Sequence, residues 1–167
     1  MELKKLDASF YVDNPVVIQA LEFDIESNTW MGTSKTRGHG VVQIEINSLV
    51  FAIPVRSNIS HNASFILEKN TDKSRTRIKG MGLDFSKALL IRDNSHVSNN
   101  LFLLSSKAAG KKLQGKQQHI TTSFQKYVHK YVDAVQKKDS NILNQMEYRF
   151  TTLINYHIEL NLTEVEI

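Results

Sequence analysis

The 167 residues hold 41% hydrophobic side chains and a formal net charge of +4, enough apolar material for one core and a mild cationic excess that permits a polyanionic partner. The absence of cysteine excludes disulfides, thiolate catalysis and Cys-ligated zinc. Apolar runs such as 88–91 and 101–104 are far too short to cross a bilayer, and no apolar h-region follows MELKKLDASF; one domain over 1–167, cytoplasmic and away from membranes, is expected.

In chain order, residues 3–12 (LKKLDASFYV) read as a first strand with a polar interruption. Asp13-Asn14-Pro15 reads as a helix start, an Asx cap with Pro at the first helical position, and predicts a short helix over 15–22. Residues 27–40 form a loop rich in Gly, Ser and Thr. The strongest β pattern follows. In GVVQIEI, Val42, Ile44 and Ile46 alternate with Gln43 and Glu45, so one face is buried and one wet. Asn47-Ser48 supplies a tight turn, and LVFAIPV returns as a central strand whose regular pairing should end at Pro54. Together 40–55 predict an antiparallel hairpin.

Residues 63–69 are a further strand, 69–79 a basic loop or mobile hairpin, and 84–91 and 101–104 more strands. Residues 105–117 read as a flexible surface segment. The period then changes. Ile120, Phe124, Tyr127, Val128, Tyr131, Val132 and Val135 step by three and four along one helical face. A second helix capped by Asp139 or Ser140 carries Ile142, Leu143, Met146, Phe150, Leu153 and Ile154. The expected fold is α+β, a strongly bent antiparallel sheet with a C-terminal helical hairpin packed on it.

Cations are clustered. Lys69, Lys73, Arg75, Arg77 and Lys79 stand in one stretch opposed only by Asp72, and Lys107, Lys111, Lys112 and Lys116 form a second group without an acid. Among enzyme signatures, the P-loop, H-E-x-x-H, the G-x-S-x-G elbow and paired carboxylates on one strand are all missing, and the six histidines lack ligand spacing. No metal and no cofactor is expected.

What remains is a polar group at the open end of the hairpin. Ser34, Lys35, Thr36, Arg37 and His39 precede the first strand; Arg56, Ser57, Asn58, Ser60 and His61 follow the second. Antiparallel pairing makes these two segments neighbours. Such a set suits metal-free RNA cleavage. A base takes the ribose 2′-OH proton, the oxygen attacks phosphorus, cations and hydroxyls hold the growing charge, and an acid protonates the departing 5′-oxygen. The roles fall to His61 or Lys35 as base or acid, to Arg37 and Arg56 as phosphate clamps, and to Ser57 as oxyanion donor. Trp30 is a candidate base-stacking residue. Thr36, His39 and Asn58, with Lys73, Arg75, Arg77 and Lys79 of the basic loop, complete the expected RNA-binding set. Tyr127 and Tyr131 belong to the core.

The segment KTRGHGVVQIEINSLVFAIPVRSNISHNASFIL resembles the core of the ToxN/AbiQ superfamily, the RNase toxins of type III toxin–antitoxin systems, and more narrowly its TenpIN family. FYVDNP, IKGMGLDFSKALLI and EYRFTTLINYH extend the resemblance over nearly the whole chain. The resemblance implies a twisted, partly open barrel-like sheet similar to MazF/Kid toxins. It implies metal-independent endoribonuclease activity leaving a 2′,3′-cyclic phosphate and a 5′-OH. It also implies a small repeat-containing antitoxin RNA, structured as a pseudoknot, which the toxin processes and then holds in a cyclic ribonucleoprotein, with a role in phage defence by abortive infection. Ser57 matches the serine of the family's Thr-Ser-x-Lys run, whereas Arg56 replaces its Thr and Ile59 stands in place of its Lys. Lys35 and Arg37 both lie near the family's lysine ahead of the first hairpin strand; Trp30 and, farther off, Tyr11 are nearest to its tyrosine. A non-catalytic RNA-binding module and a protein–protein interaction domain are the competing classes.

Overall fold

The computed structural model describes residues 1–31 and 40–162. Its strands are β1 (Lys4–Leu6), β2 (Phe23–Asp24), β3 (Thr29–Trp30), β4 (Val41–Ile46), β5 (Leu49–Ile59), β6 (Ser64–Lys69), β7 (Gly80–Asp84), β8 (Leu89–Ile91) and β9 (Val97–Leu101). Its α-helices are α1 (Ala8–Asp13), α2 (Lys107–Leu113), α3 (Gln117–Gln136), α4 (Ser140–Leu143) and α5 (Met146–Arg149). The class is α+β. The larger sheet runs β6-β7-β5-β4-β1-β9 with β8 also on β5, while β2 and β3 pair separately. Its recorded pairings are all antiparallel, and among the described residues its two end strands do not meet, so the sheet is open.

The hairpin β4–β5 is the centre. Val42, Ile44 and Ile46 are buried as their alternation requires, and Asn47 and Ser48 both take positive φ (49° and 64°), the geometry of a type I′ turn whose twist suits paired strands. Pro54 does not end β5. Its register partner is Val41, the last β4 pair, and from Val55 the strand pairs with β7 instead. Val55 N still donates to Gly40 O on the β4 side, so the N–H that Pro54 lacks would face the opposite edge, where β8, paired as far as Ala52, gives way to β7, paired from Val55.

Helix α3 packs its apolar stripe on this sheet. Phe124 is fully enclosed and meets Phe51 and Phe85 edge-on at 5.3 and 5.6 Å. Burial of one such ring contributes roughly 2–3 kcal/mol. Tyr127 and Tyr131 are buried core residues, and Tyr127 stacks on Tyr148 with ring centroids 4.9 Å apart.

Several local expectations are corrected. The first strand is short, and the helix after it is α1, capped by Asp7, whose side chain accepts from Ser9 N. Consequently Asn14 closes a helix and Pro15 follows it as a stop, and 15–22 is not helical. The segment 84–91 is not continuous strand: a 3-10 turn, Phe85–Lys87, separates β7 from β8. The strand expected over 101–104 lies earlier, as β9, and ends at Leu101. The segment 105–117 contains α2, capped by Ser106 and anchored by only two buried side chains, Ala109 and Leu113, a stripe too narrow to stand out beside Gly110. Finally, α3 has no single helical partner. The expected second helix is broken into α4, α5 and a 3-10 turn, Thr152–Tyr156. Tertiary donors take its carbonyls: Tyr127 Oη reaches Glu147 O at 2.8 Å and Lys87 Nζ reaches Phe150 O at 2.7 Å. No helix among the described residues is long and apolar enough to cross a membrane.

Candidate functional site

The site forms where β5 leaves β4 and pairs with β7. Arg56 pairs with Gly82 and Ile59 with Gly80, so three steps on β5 answer two on β7. This is a β-bulge. Asn58 absorbs the extra residue at φ 64°, a left-handed conformation that Asn tolerates better than most. The bulge leaves Ser57 and Asn58 exposed between half-buried Arg56 and buried Ile59. On the other side of β5, Val55 N donates to Gly40 O at 2.8 Å. The described end of the approach to β4 therefore lies beside the residue preceding Arg56. Lys35, Thr36, Arg37 and His39, four of the expected site residues, lie outside the described residues.

Beneath the bulge is a buried ionic network centred on Asp84. Asp-x-Ser recurs at Asp7, Asp72, Asp84 and Asp93, and each aspartate Oδ1 accepts from the serine N at 2.8–3.0 Å. This Asx geometry starts turns and helices on the surface. Asp84 alone of the four is buried, with its side chain 0% exposed. There the carboxylate also receives Arg56 Nη1 at 2.9 Å, Ser86 Oγ at 2.6 Å and the ring edge of His61, whose Nε2 lies 3.3 Å from Oδ1. Burial pushes the Asp84 carboxyl up, but the hydrogen bond and charge of His61, with the bonds from Ser86 and Arg56, outweigh it and hold the group below its ordinary value. Asp84 thus remains an anion, and Arg56, 37% exposed at its side chain, is held by it at the protein surface.

His61 is deeper than a surface base would be. Its side chain is 6% exposed, Nε2 is taken by Asp84 and Ser86, and Nδ1 is enclosed without a partner. A proton could pass between His61 and a substrate only through that Nδ1 edge.

Lys87 follows Ser86 directly in the same 3-10 turn and is buried. Its Nζ donates to Gln19 O at 2.9 Å and Phe150 O at 2.7 Å, tying the turn to the segment after α1 and to the C-terminal helical turns. Burial pushes its amine down to about 8, with Asp84 opposing and Arg56 adding to the shift. A half-open cleft lies alongside, lined in part by Lys87, Pro54, Val41, Tyr11, Trp30 and Glu22. Pro54 and Arg56 are two residues apart on β5, so they share a face of the strand. Trp30 is engaged within an aromatic cluster: its Nε1 donates to Asn14 O at 2.7 Å and its ring meets Tyr11 and Phe23 edge-on at 5.0 and 5.5 Å.

The basic loop 70–79 is built by its own turn bonds. Asn70 Nδ2 donates to the carbonyls of Asp72 and Arg75, and Lys79 N donates to Ile59 O at 2.7 Å. Lys73, Arg75, Arg77 and Lys79 are all exposed. Lys79 also donates to Asn62, just past His61. This loop therefore leaves the sheet at the same end as the bulge.

The structure joins Arg56 and His61 through one carboxylate and sets Ser57 and Asn58 beside them. Sequence reasoning missed that carboxylate, Asp84, and its neighbours Ser86 and Lys87. The available clue was two charges within an otherwise apolar stretch, LDFSKALLI, since a charge there is buried only if paired. Comparison of the chain with protein-family models, with curated proteins and with solved structures finds no match.

Proposed function

We propose that this chain is an endoribonuclease that cleaves RNA through side-chain acid–base chemistry, the toxin of a type III toxin–antitoxin pair. One observation carries the reading: Arg56 is fixed by buried Asp84 at the lip of a bulge that exposes Ser57 and Asn58. A guanidinium whose far side is anchored keeps its fork oriented for a phosphate, and it need not reorganise as charge grows there. Ser57 adds a hydroxyl donor next to it. In this reading the 2′-OH attacks the adjacent phosphorus, Arg56 and Ser57, together with Arg37, hold the non-bridging oxygens, and proton transfer falls to Lys35 or to the Nδ1 edge of His61. The products are a 2′,3′-cyclic phosphate and a 5′-OH.

The resemblance of residues 35–67 to the ToxN/AbiQ superfamily and its TenpIN family supports the same chemistry. With it come a fold of the partly open MazF/Kid-like barrel type, a repeat-containing antitoxin RNA as partner, a closed toxin–RNA assembly, and a role in phage defence in the cytoplasm. The experiment is expression of the chain alone, followed by end analysis of cellular RNA. Growth arrest with cyclic-phosphate ends supports the reading, and intact RNA overturns it. The enclosure of His61 favours a second reading, a module that binds RNA at Arg56 and the basic loop without cutting. Labelled RNA incubated with purified protein separates the two.

A further inference from the structure

The two lysine- and arginine-rich clusters are separated in sequence, and the fold sets both against one edge strand. Strand β6 is an end of the sheet. Its last residue, Lys69, leads into the loop that carries Lys73, Arg75, Arg77 and Lys79. Helix α2 packs on the same strand, burying Ala109 and Leu113 and leaving Lys107, Lys111 and Lys112 exposed, with exposed Lys116 just beyond. The start of α3 also reaches β6, since His119 meets the Phe65 ring at 5.8 Å. Acids are few here. Glu68 is exposed on β6, and Asp72 spends its carboxylate on Ser74 N and Oγ within the loop. β6 is two strands from β5, with Ile66, Gly82 and Arg56 in one cross-strand row, about 10 Å at the usual strand spacing.

We propose that the loop 70–79 and α2 form the two walls of one phosphate-binding track along β6, which takes the backbone of a folded RNA and delivers an adjoining unpaired segment to Arg56. This rests on the proposed ribonuclease reading for its choice of RNA. Cations without interleaved exposed aromatics grip backbone charge rather than base identity, so the track binds without reading sequence. An anionic membrane fits less well, because the one large apolar side chain of α2, Leu113, is turned into the protein and only Ala108 among its apolar residues is exposed, too little to insert.

The test measures binding apart from cutting. A short labelled RNA hairpin is titrated with the full chain carrying Ser57→Ala, between about 50 and 200 mM potassium chloride. Two further variants remove one wall each: Lys73→Gln with Arg75→Gln and Arg77→Gln, and Lys107→Gln with Lys111→Gln and Lys112→Gln. Each should weaken binding and lower the salt slope by about one per cation removed. An RNA dinucleotide, too short to touch both walls, should lose this joint dependence. Unchanged affinity and slope in the α2 variant overturn the track, as does tighter binding to phosphatidylserine vesicles than to the hairpin. Circular dichroism checks that the exposed substitutions leave the fold intact. Cleavage by the parent chain is scored separately: salt-dependent binding without cutting sinks the nuclease and leaves the track, while cutting with unaffected α2 variants does the reverse.

Discussion

Arg56 and Asp84 meet at 2.9 Å across β5 and β7, the guanidinium partly in solvent and the carboxylate fully enclosed. The asymmetry matters. An anion without water needs its partners, whereas Arg56 keeps donors available for a ligand. Asp84→Asn should therefore destabilise the protein by roughly 3 kcal/mol, the low side of a broken buried pair because Arg56 remains solvated. Chemical denaturation at neutral pH measures it. The difference should shrink in acid. The folded carboxyl titrates below its unfolded value of about 3.9, so its contribution is present above that pH and is lost as pH falls through the folded value. Parent and variant curves that stay parallel below pH 4 would contradict this.

Ser57 and Arg56 separate chemistry from folding. Ser57 is exposed on the bulge, so Ser57→Ala should leave the melting temperature unchanged while lowering RNA cleavage by about 10²–10³-fold, the cost of one oxyanion donor. Arg56→Lys keeps charge but loses the planar fork that spans Asp84 and a phosphate. It should retain RNA affinity better than activity, read as a fall in kcat larger than the rise in KM.

Lys87 gives a prediction of the same sign in an alkaline window. Its neutral amine has two hydrogens, matching the two carbonyls it meets, Gln19 O and Phe150 O. The folded amine titrates at about 8, below the unfolded value of about 10.4. Between those limits the unfolded chain binds the extra proton, so this group's contribution to stability rises with pH. Lys87→Met should lose that rise and leave two carbonyls without donors, each worth roughly 1–3 kcal/mol. Urea titrations at pH 7.5 and 9.5 read the gap between parent and variant, which should widen at the higher pH.

Gly82 sets how closely β6 approaches the site. A Cβ there would stand 2.1 Å from Phe65 O, which is backbone and cannot swing aside. Gly82→Ala should push β6 off β7 and cost about 1–3 kcal/mol or more. Faster amide exchange confined to β6 and β7 would show it.

The hairpin was legible because a two-residue alternation, an Asn-Ser turn and an apolar return strand agree with one another. The stripe from Ile120 to Val135 was legible because a long helix repeats its signal over several turns. The elements that were misread are short, and their limits are set by tertiary partners. Asn14-Pro15 is the same pair whether it opens or closes a helix, and Asp7 decides which. The broken C-terminal helix depends on Tyr127 and Lys87 claiming its carbonyls, which no local pattern records. At the site, Arg56, Ser57 and His61 were found from their position at the mouth of the hairpin. Asp84 was not, because an Asp-x-Ser cap looks alike on the surface and in the core. Only the fold tells that one of the four is enclosed.

The central claim is RNA cleavage by side chains at the mouth of the β4–β5 hairpin. Purified chain should cut a labelled RNA in excess EDTA, leaving a 2′,3′-cyclic phosphate on one fragment and a 5′-OH on the other, and Ser57→Ala should slow the appearance of those products by about 10²–10³-fold at unchanged fold. RNA that stays intact with the parent chain, or cyclic ends that form equally well with Ser57→Ala, would contradict it.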